Sequence, residues 1–220
     1  MRDIDFPLKN GYYRHLWYVL VLPIYLICFW ICEHIVVNNY WSSYLPLDDL
    51  IPFNEIFVIA YVAWYPCLIA MGIALLIRNS GDFRRYMLFI GVGFLSALAF
   101  CLIFPNGQDL RPAEFPRDNL LTRVLGMLYA ADTNTNVLPS MHVIGAFAFV
   151  FPAFEAKSLR SHRWIKVLSV VMAVLICVST VFVKQHSVLD TLAGIPWSFA
   201  TYAAVYLPER KRRLSATEQK

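Results

Sequence analysis

Apolar stretches of nearly membrane-spanning length recur six times along this chain. They cover residues 16–37, 56–77, 86–104, 139–154, 165–183 and 188–207. Each is near the ~20 residues that a helix needs to cross a ~30 Å hydrocarbon core. The fourth is the shortest and opens on polar residues. Pro23, Pro66 and Pro196 fall inside runs, where neighbouring helices tolerate them as kinks. Only 15% of the 220 residues are charged and 59% are hydrophobic, against about 25% charged in a soluble domain. The expected fold class is therefore an all-α, six-transmembrane-helix bundle, one integral-membrane domain over residues 1–220. No length is left for a sizeable soluble domain.

The net charge of +4 does not point to nucleic acid, because the basic residues cluster at the ends of the apolar runs. The N-terminal segment, the second-to-third and fourth-to-fifth connections and the C-terminal tail hold fifteen of the 19 Lys and Arg. The other connections hold only Arg111, Arg117, Arg123 and Lys184. This bias puts both termini in the cytoplasm. Residues 2–14 form a polar lead-in without a cleavage site, so the first run is expected to be retained. The tail over 208–220 is polar and is expected to fray. Cys28, Cys32, Cys67, Cys101 and Cys177 all lie in apolar runs, with no CxxC or metal-ligand spacing, and read as small hydrophobes.

The longest connection, residues 105–138, falls outside. Within it Leu121, Val124, Leu125 and Leu128 recur on one helical face, with Asp118 as the expected N-cap. This segment reads as a short helix packed on the outer end of the bundle, or as an interfacial lid.

Polar residues at membrane depth are functional candidates, and the same outer ends collect them. Arg111-Pro112 follows the third run and Pro139-Ser140-Met141-His142 opens the fourth. Ser179-Thr180 nears the end of the fifth, and Lys184, Gln185, His186 and Asp190 bridge the fifth and sixth. Phosphoryl transfer suits this set. Arg111 offers a planar fork for phosphate. Ser140 stands at a helix start, where free N–H groups favour an anion. His186 and Asp190 are four apart, so on a helix they share a face with Cβ atoms about 5–6 Å apart. The carboxylate then fixes the imidazole for attack, and His142 supplies a proton to the leaving oxygen. Blander readings compete. Each of these residues could be an ordinary interfacial group, Lys184 included, and His142, His186 and Asp190 could instead hold zinc or iron. Glu33-His34 is either a polar helix end or an auxiliary part of the site.

These residues resemble the type 2 phosphatidic acid phosphatase superfamily, whose signatures are Lys-x6-Arg-Pro, Pro-Ser-Gly-His and Ser-Arg-x5-His-x3-Asp. The resemblance runs over residues 104–190, with Phe104 in place of the lysine, Met141 of the glycine and Thr180 of the arginine. Two of the usual cations are thus missing, and Lys184 is the nearest spare. Phrases around Arg111 and His186 are also similar to a bacterial subgroup related to inositol phosphorylceramide synthases. The resemblance implies a metal-independent enzyme without cofactor, acting on a membrane lipid phosphate through a phosphohistidine. His186, His142 and Asp190 would be catalytic, and Arg111, Ser140, Lys184 and Ser179 would bind phosphate. It implies a multi-pass plasma (inner) membrane protein with an extracytoplasmic site and the bilayer as partner, not nucleic acid. An alcohol in place of water would make it a phosphotransferase. The competing class is a transporter or lipid-binding scaffold, but no inverted repeat or mid-membrane break is visible.

Overall fold

The computed structural model describes residues 12–35 and 39–218. A 3-10 helix over Tyr12–Leu20 leads into α1 (Val21–Ile35), with Pro23 in its first turn, where a missing N–H does little harm. Then come β1 (Trp41–Ser42), α2 (Leu47–Leu50), a 3-10 turn over Glu55–Phe57, α3 (Val58–Arg78) and α4 (Ser80–Ile103). After β2 (Asn106–Gly107) follow α5 (Leu120–Ala131), α6 (Met141–Glu155), α7 (Arg163–Phe182) and α8 (Val188–Glu218). Among the described residues, four segments are long and apolar enough to cross a membrane: His15–Ile35, Glu55–Arg78, Ser80–Ile103 and Arg163–Phe182. The fourth apolar run becomes α6, of only 15 residues, and the sixth becomes the start of α8.

Three boundaries differ from expectation. Helix α4 begins six residues before Tyr86, because the Asn79 side chain accepts from the Asp82 N–H at 2.9 Å and starts the helix ahead of the charged pair Arg84-Arg85. Asp82 and Arg85 form a buried ion pair in that first turn. Helix α5 is capped by Asn119 rather than Asp118, in a reciprocal box with Thr122. Asp118 instead pairs with Arg123 at 3.0 Å. The tail does not fray at Pro208: α8 continues to Glu218 through a run of good helix formers. Val36, Val37 and Lys220 lie outside the described residues.

Helix α6 is the hub. Val143, Ile144, Ala146, Ala148 and Ala153 are wholly buried, and its neighbours are α3, α4, α7 and α8. In contrast α1 and α7 turn large apolar side chains outward, among them Leu26, Ile27, Trp30, Val167 and Val174. A helix apolar on its exposed side suits a lipid environment. Helix α1 packs on α4. A cavity of about 600 Å³ lies between it and α3.

The helix ends that carry the polar residues meet at one end of the bundle. The parallel pairing of β1 with β2 brings Ser43 beneath α8. Asn54 N–H donates to Phe182 O at 3.0 Å, and Ser140 N–H to Asp190 O at 3.1 Å. Helix α5 lies across this end with Leu125 wholly buried beside Val58, Tyr61 and Val183. The face expected from Leu121, Val124, Leu125 and Leu128 is the one that packs.

Candidate active site

The cavity runs beside α3 from Leu76 up to Tyr61, about 22 Å at the helical rise. Its walls are almost entirely apolar until the end beside Tyr61. There the lining includes Asp132, Thr133, Asn136, His142, Gln185 and His186.

His142 sits in the first turn of α6, stacked on Tyr61 with ring centroids 4.2 Å apart. Trp64 holds the helix start from the other side, donating Nε1–H to His142 O at 3.0 Å. That approach depends on Gly145, where a Cβ would meet the Trp64 indole at 2.4 Å. His142 Nε2 is buried without a partner. His186 faces it edge-on, centroids 5.7 Å apart.

The nearest acceptor to His186 Nδ1 is Val137 O, at 3.1 Å. A carbonyl only accepts, so this bond puts the proton on Nδ1 and leaves Nε2 with its lone pair. Asp190 Oδ2 stands 3.6 Å from the same Nδ1, beyond a hydrogen bond but close enough for electrostatic support. The two residues are close in space, but the Val137 carbonyl, not the Asp190 carboxylate as the spacing led one to expect, is the hydrogen-bond partner that sets the His186 tautomer. The Asp190 carboxylate is wholly buried and fixed by Ser43 Oγ at 2.5 Å and Ser187 N at 2.8 Å.

The other expected phosphate ligands sit behind the cavity wall. Arg111 stacks on Tyr129 at 4.5 Å and donates to the carbonyls of Tyr129, Asp132 and Thr133 and to Gln185 Oε1. Burial lowers its pKa, yet a guanidinium stays charged. Lys184, at φ 52°, turns away and donates to Asp48 O at 2.8 Å and Ile51 O at 2.6 Å. Ser179 Oγ bonds back to Ile176 O at 2.7 Å. Ser140 caps α6, its Oγ accepting from Val143 N–H, so it acts on the cavity by setting where the positive end of α6 points. The three divergent positions supply no charge. Phe104 packs at a tilt on Trp41, Met141 Sδ accepts from Tyr25, and Thr180 bonds back to Cys177 O.

Glu33 is buried and receives Thr133 N–H, Thr133 Oγ1 and Asn136 Nδ2. It therefore braces the cavity wall, whereas His34 is exposed and bonds Trp30 O at 2.7 Å. Among the described residues no group of three or more His, Cys, Asp or Glu is placed to hold a metal ion.

Two residues without a role in the sequence reading line the site. Gln185 stands in the polar cluster that bridges the fifth and sixth apolar runs, with no role of its own attached to it there. Asp132 carried no signal, being one acid in a polar connection. No donor among the described residues reaches its carboxylate. Burial, reinforced by Glu33 and opposed by His186 and Arg111, raises its pKa to about 6.

Residues 91–213, more than half of the chain, match the family model described as the PAP2 superfamily. No curated protein and no solved structure matches the chain significantly.

Proposed function

The chain belongs to the PAP2 superfamily, and we propose on that footing that it is a membrane lipid phosphatase working through a phosphohistidine at His186. Membership supports action on lipid phosphates in general, as hydrolase or phosphotransferase. The observation that carries the finer reading is the pair of buried imidazoles, 5.7 Å apart, at the polar end of a long apolar cavity.

In the proposed first step His186 Nε2 attacks phosphorus, forming a P–N bond as the bond to the lipid oxygen breaks. Protonated His142 gives its Nε2 proton to that oxygen. In the second step His142 takes a proton from water, the hydroxide attacks phosphorus and the P–N bond breaks, releasing phosphate. Asp190 steadies the imidazolium, while the N-terminus of α6, set by Ser140, faces the transferring group with its free N–H groups. The lipid tail lies in the cavity beside α1 and α3. The Lys and Arg distribution supports six spans with both termini in the cytoplasm and the site outside. One observation favours an alcohol acceptor as a second reading: the open Asp132 carboxylate offers a partner for a hydroxyl.

The test is turnover by purified protein in detergent plus a strong chelator, on phosphatidate, phosphatidylglycerophosphate and a polyprenyl diphosphate. Both free phosphate and new phospholipid are scored. Release of phosphate, loss of it in His186→Ala together with any acid-labile phosphoenzyme, and partial rescue of His142→Ala by a nitrophenyl ester are expected. A phosphoenzyme that persists in His186→Ala would invert the assignment, and rescue by zinc or magnesium after chelation would overturn the metal-free mechanism.

A further inference from the structure

Phosphoryl transfer needs donors on the non-bridging oxygens, and the two cationic side chains nearest the site are already engaged. Lys184 donates to Asp48 O and Ile51 O. Arg111 donates through both terminal nitrogens to three backbone carbonyls and to Gln185 Oε1, the last at 2.5 Å; its Nε alone is buried without a partner. Neither lines the cavity.

Gln185 does line it. The side chain is buried, 2% exposed, and its amide orientation is settled by chemistry. A guanidinium has only donors, so the atom facing Arg111 must be Oε1 and the opposite end must be the NH2 group. That Nε2 is buried without a partner, as is His142 Nε2 in the same cavity. The backbone is held too: Gln185 N–H donates to Thr180 O at 3.0 Å, and Gln108 Nε2 donates to Lys184 O at 3.0 Å. A buried amide donor left open is costly unless something accepts from it, and the neighbouring residue is His186.

We infer that Gln185 Nε2 is a ligand for a non-bridging oxygen of the transferring phosphoryl group, and that Arg111 acts on the phosphate through Gln185. This rests on the phosphate-ester reading of the site. Arg111 is then a positioning residue: it polarises the amide, making Nε2–H a stronger donor, and keeps it aimed at the cavity.

The experiment separates binding from turnover. Full-length protein in detergent is heated with and without orthovanadate, an oxyanion able to take the five-coordinate geometry of phosphoryl transfer. Hydrolysis of phosphatidate is measured alongside. Wild type should be stabilised by vanadate, while Gln185→Ala and Gln185→Glu should need roughly 10–100-fold more, the scale of one charge-assisted hydrogen bond. Gln185→Glu keeps an acceptor for Arg111, so it guards against a folding defect. With phosphatidate the loss should fall mainly on kcat. Arg111→Ala and the double variant Arg111→Ala/Gln185→Ala should agree within about threefold, since coupled residues are not additive. Vanadate stabilising the Gln185 variants as well as wild type would overturn the inference, as would no response in wild type. Fully multiplied losses in the double variant would show Arg111 acting independently, overturning its indirect role. Vanadate binding lost in the Gln185 variants, in a protein that hydrolyses no lipid phosphate, would retain this inference and remove the hydrolase reading.

Discussion

Asp132→Asn should make this protein more stable above pH 7 and leave its stability nearly unchanged near pH 4. The carboxyl has a pKa of about 6 in the fold against 3.8 in the open chain, with burial the main cause. Between those values the folded state holds a proton that the unfolded chain has released, so stability falls as pH rises through the interval. Above it both states are ionised and the full penalty applies. Each tenfold change in proton affinity is roughly 1.4 kcal/mol, so the penalty is about 3 kcal/mol. Asparagine has nearly the same shape and no charge. At roughly 2–4 °C per kcal/mol for a chain of this size, Asp132→Asn should melt about 6–12 °C higher at pH 8. The gain should begin to fall near pH 6 and be nearly gone by pH 4. Tryptophan fluorescence melts of both proteins in one detergent, at pH 4, 6 and 8, measure it. An equal difference at all three values, or a lower melting temperature for the variant at pH 8, would refute the reasoning. A charge kept in place at such a cost belongs where function demands it, so the stabilised variant should also turn over more slowly.

Gly145→Ala should push Trp64 off α6, destabilising the protein by about 1–3 kcal/mol and lowering activity by loosening His142; thermal melts and phosphatidate turnover check both. Lys184→Ala leaves two carbonyls without their charged donor and should lower stability by about 1–3 kcal/mol, while KM for phosphatidate stays within about twofold of wild type; a large rise in KM with unchanged melting would put Lys184 on the phosphate after all. With Asn119→Cys and Ser215→Cys made in a chain whose native cysteines are replaced, an impermeant thiol reagent on intact cells should label position 119 and not 215, and the reverse pattern would invert the topology.

The helices were legible because six long apolar runs leave few alternatives, and α5 because four leucine and valine positions share one face. What hydropathy could not register was capping. Asn79 starts α4 inside a charged stretch, and Asn119 outcompetes Asp118 because its side chain reaches Leu121 N–H and Thr122 N–H together. The two histidines and Asp190 were legible from spacing and do converge. The partners of Arg111 and Lys184 were not, since each is held mainly by backbone carbonyls, which every residue has and no motif records. The carbonyl of Val137 at His186 is hidden for the same reason, and Gln185 becomes visible only once Arg111 is seen to hold its oxygen.

That hidden layer also accounts for how a site without its usual cations at Phe104 and Thr180 would work on the proposed reading. An ion pair with phosphate gains strength from net charge, whereas amide and helix dipoles gain it from being held still in a low-dielectric cavity. Dipoles free to turn would have to reorganise as charge develops. Arg111 ties Tyr129, Asp132, Thr133 and Gln185 to one rigid plane, Glu33 pins the same wall from α1, and Ser140 N–H docks the start of α6 on Asp190 O. Arg111 is spent on rigidity, and the donors left open to the cavity are the Gln185 amide, the free N–H groups at the start of α6 and His142 Nε2. Such a site should lose more activity from a substitution that loosens this wall, such as Arg111→Lys with its flexible point charge in place of the fork, than from a change of ionic strength. Comparing phosphatidate turnover of Arg111→Lys with that of wild type across a salt series tests this. A steep salt dependence in wild type, with Arg111→Lys left near normal, would show that net charge rather than held dipoles carries the catalysis.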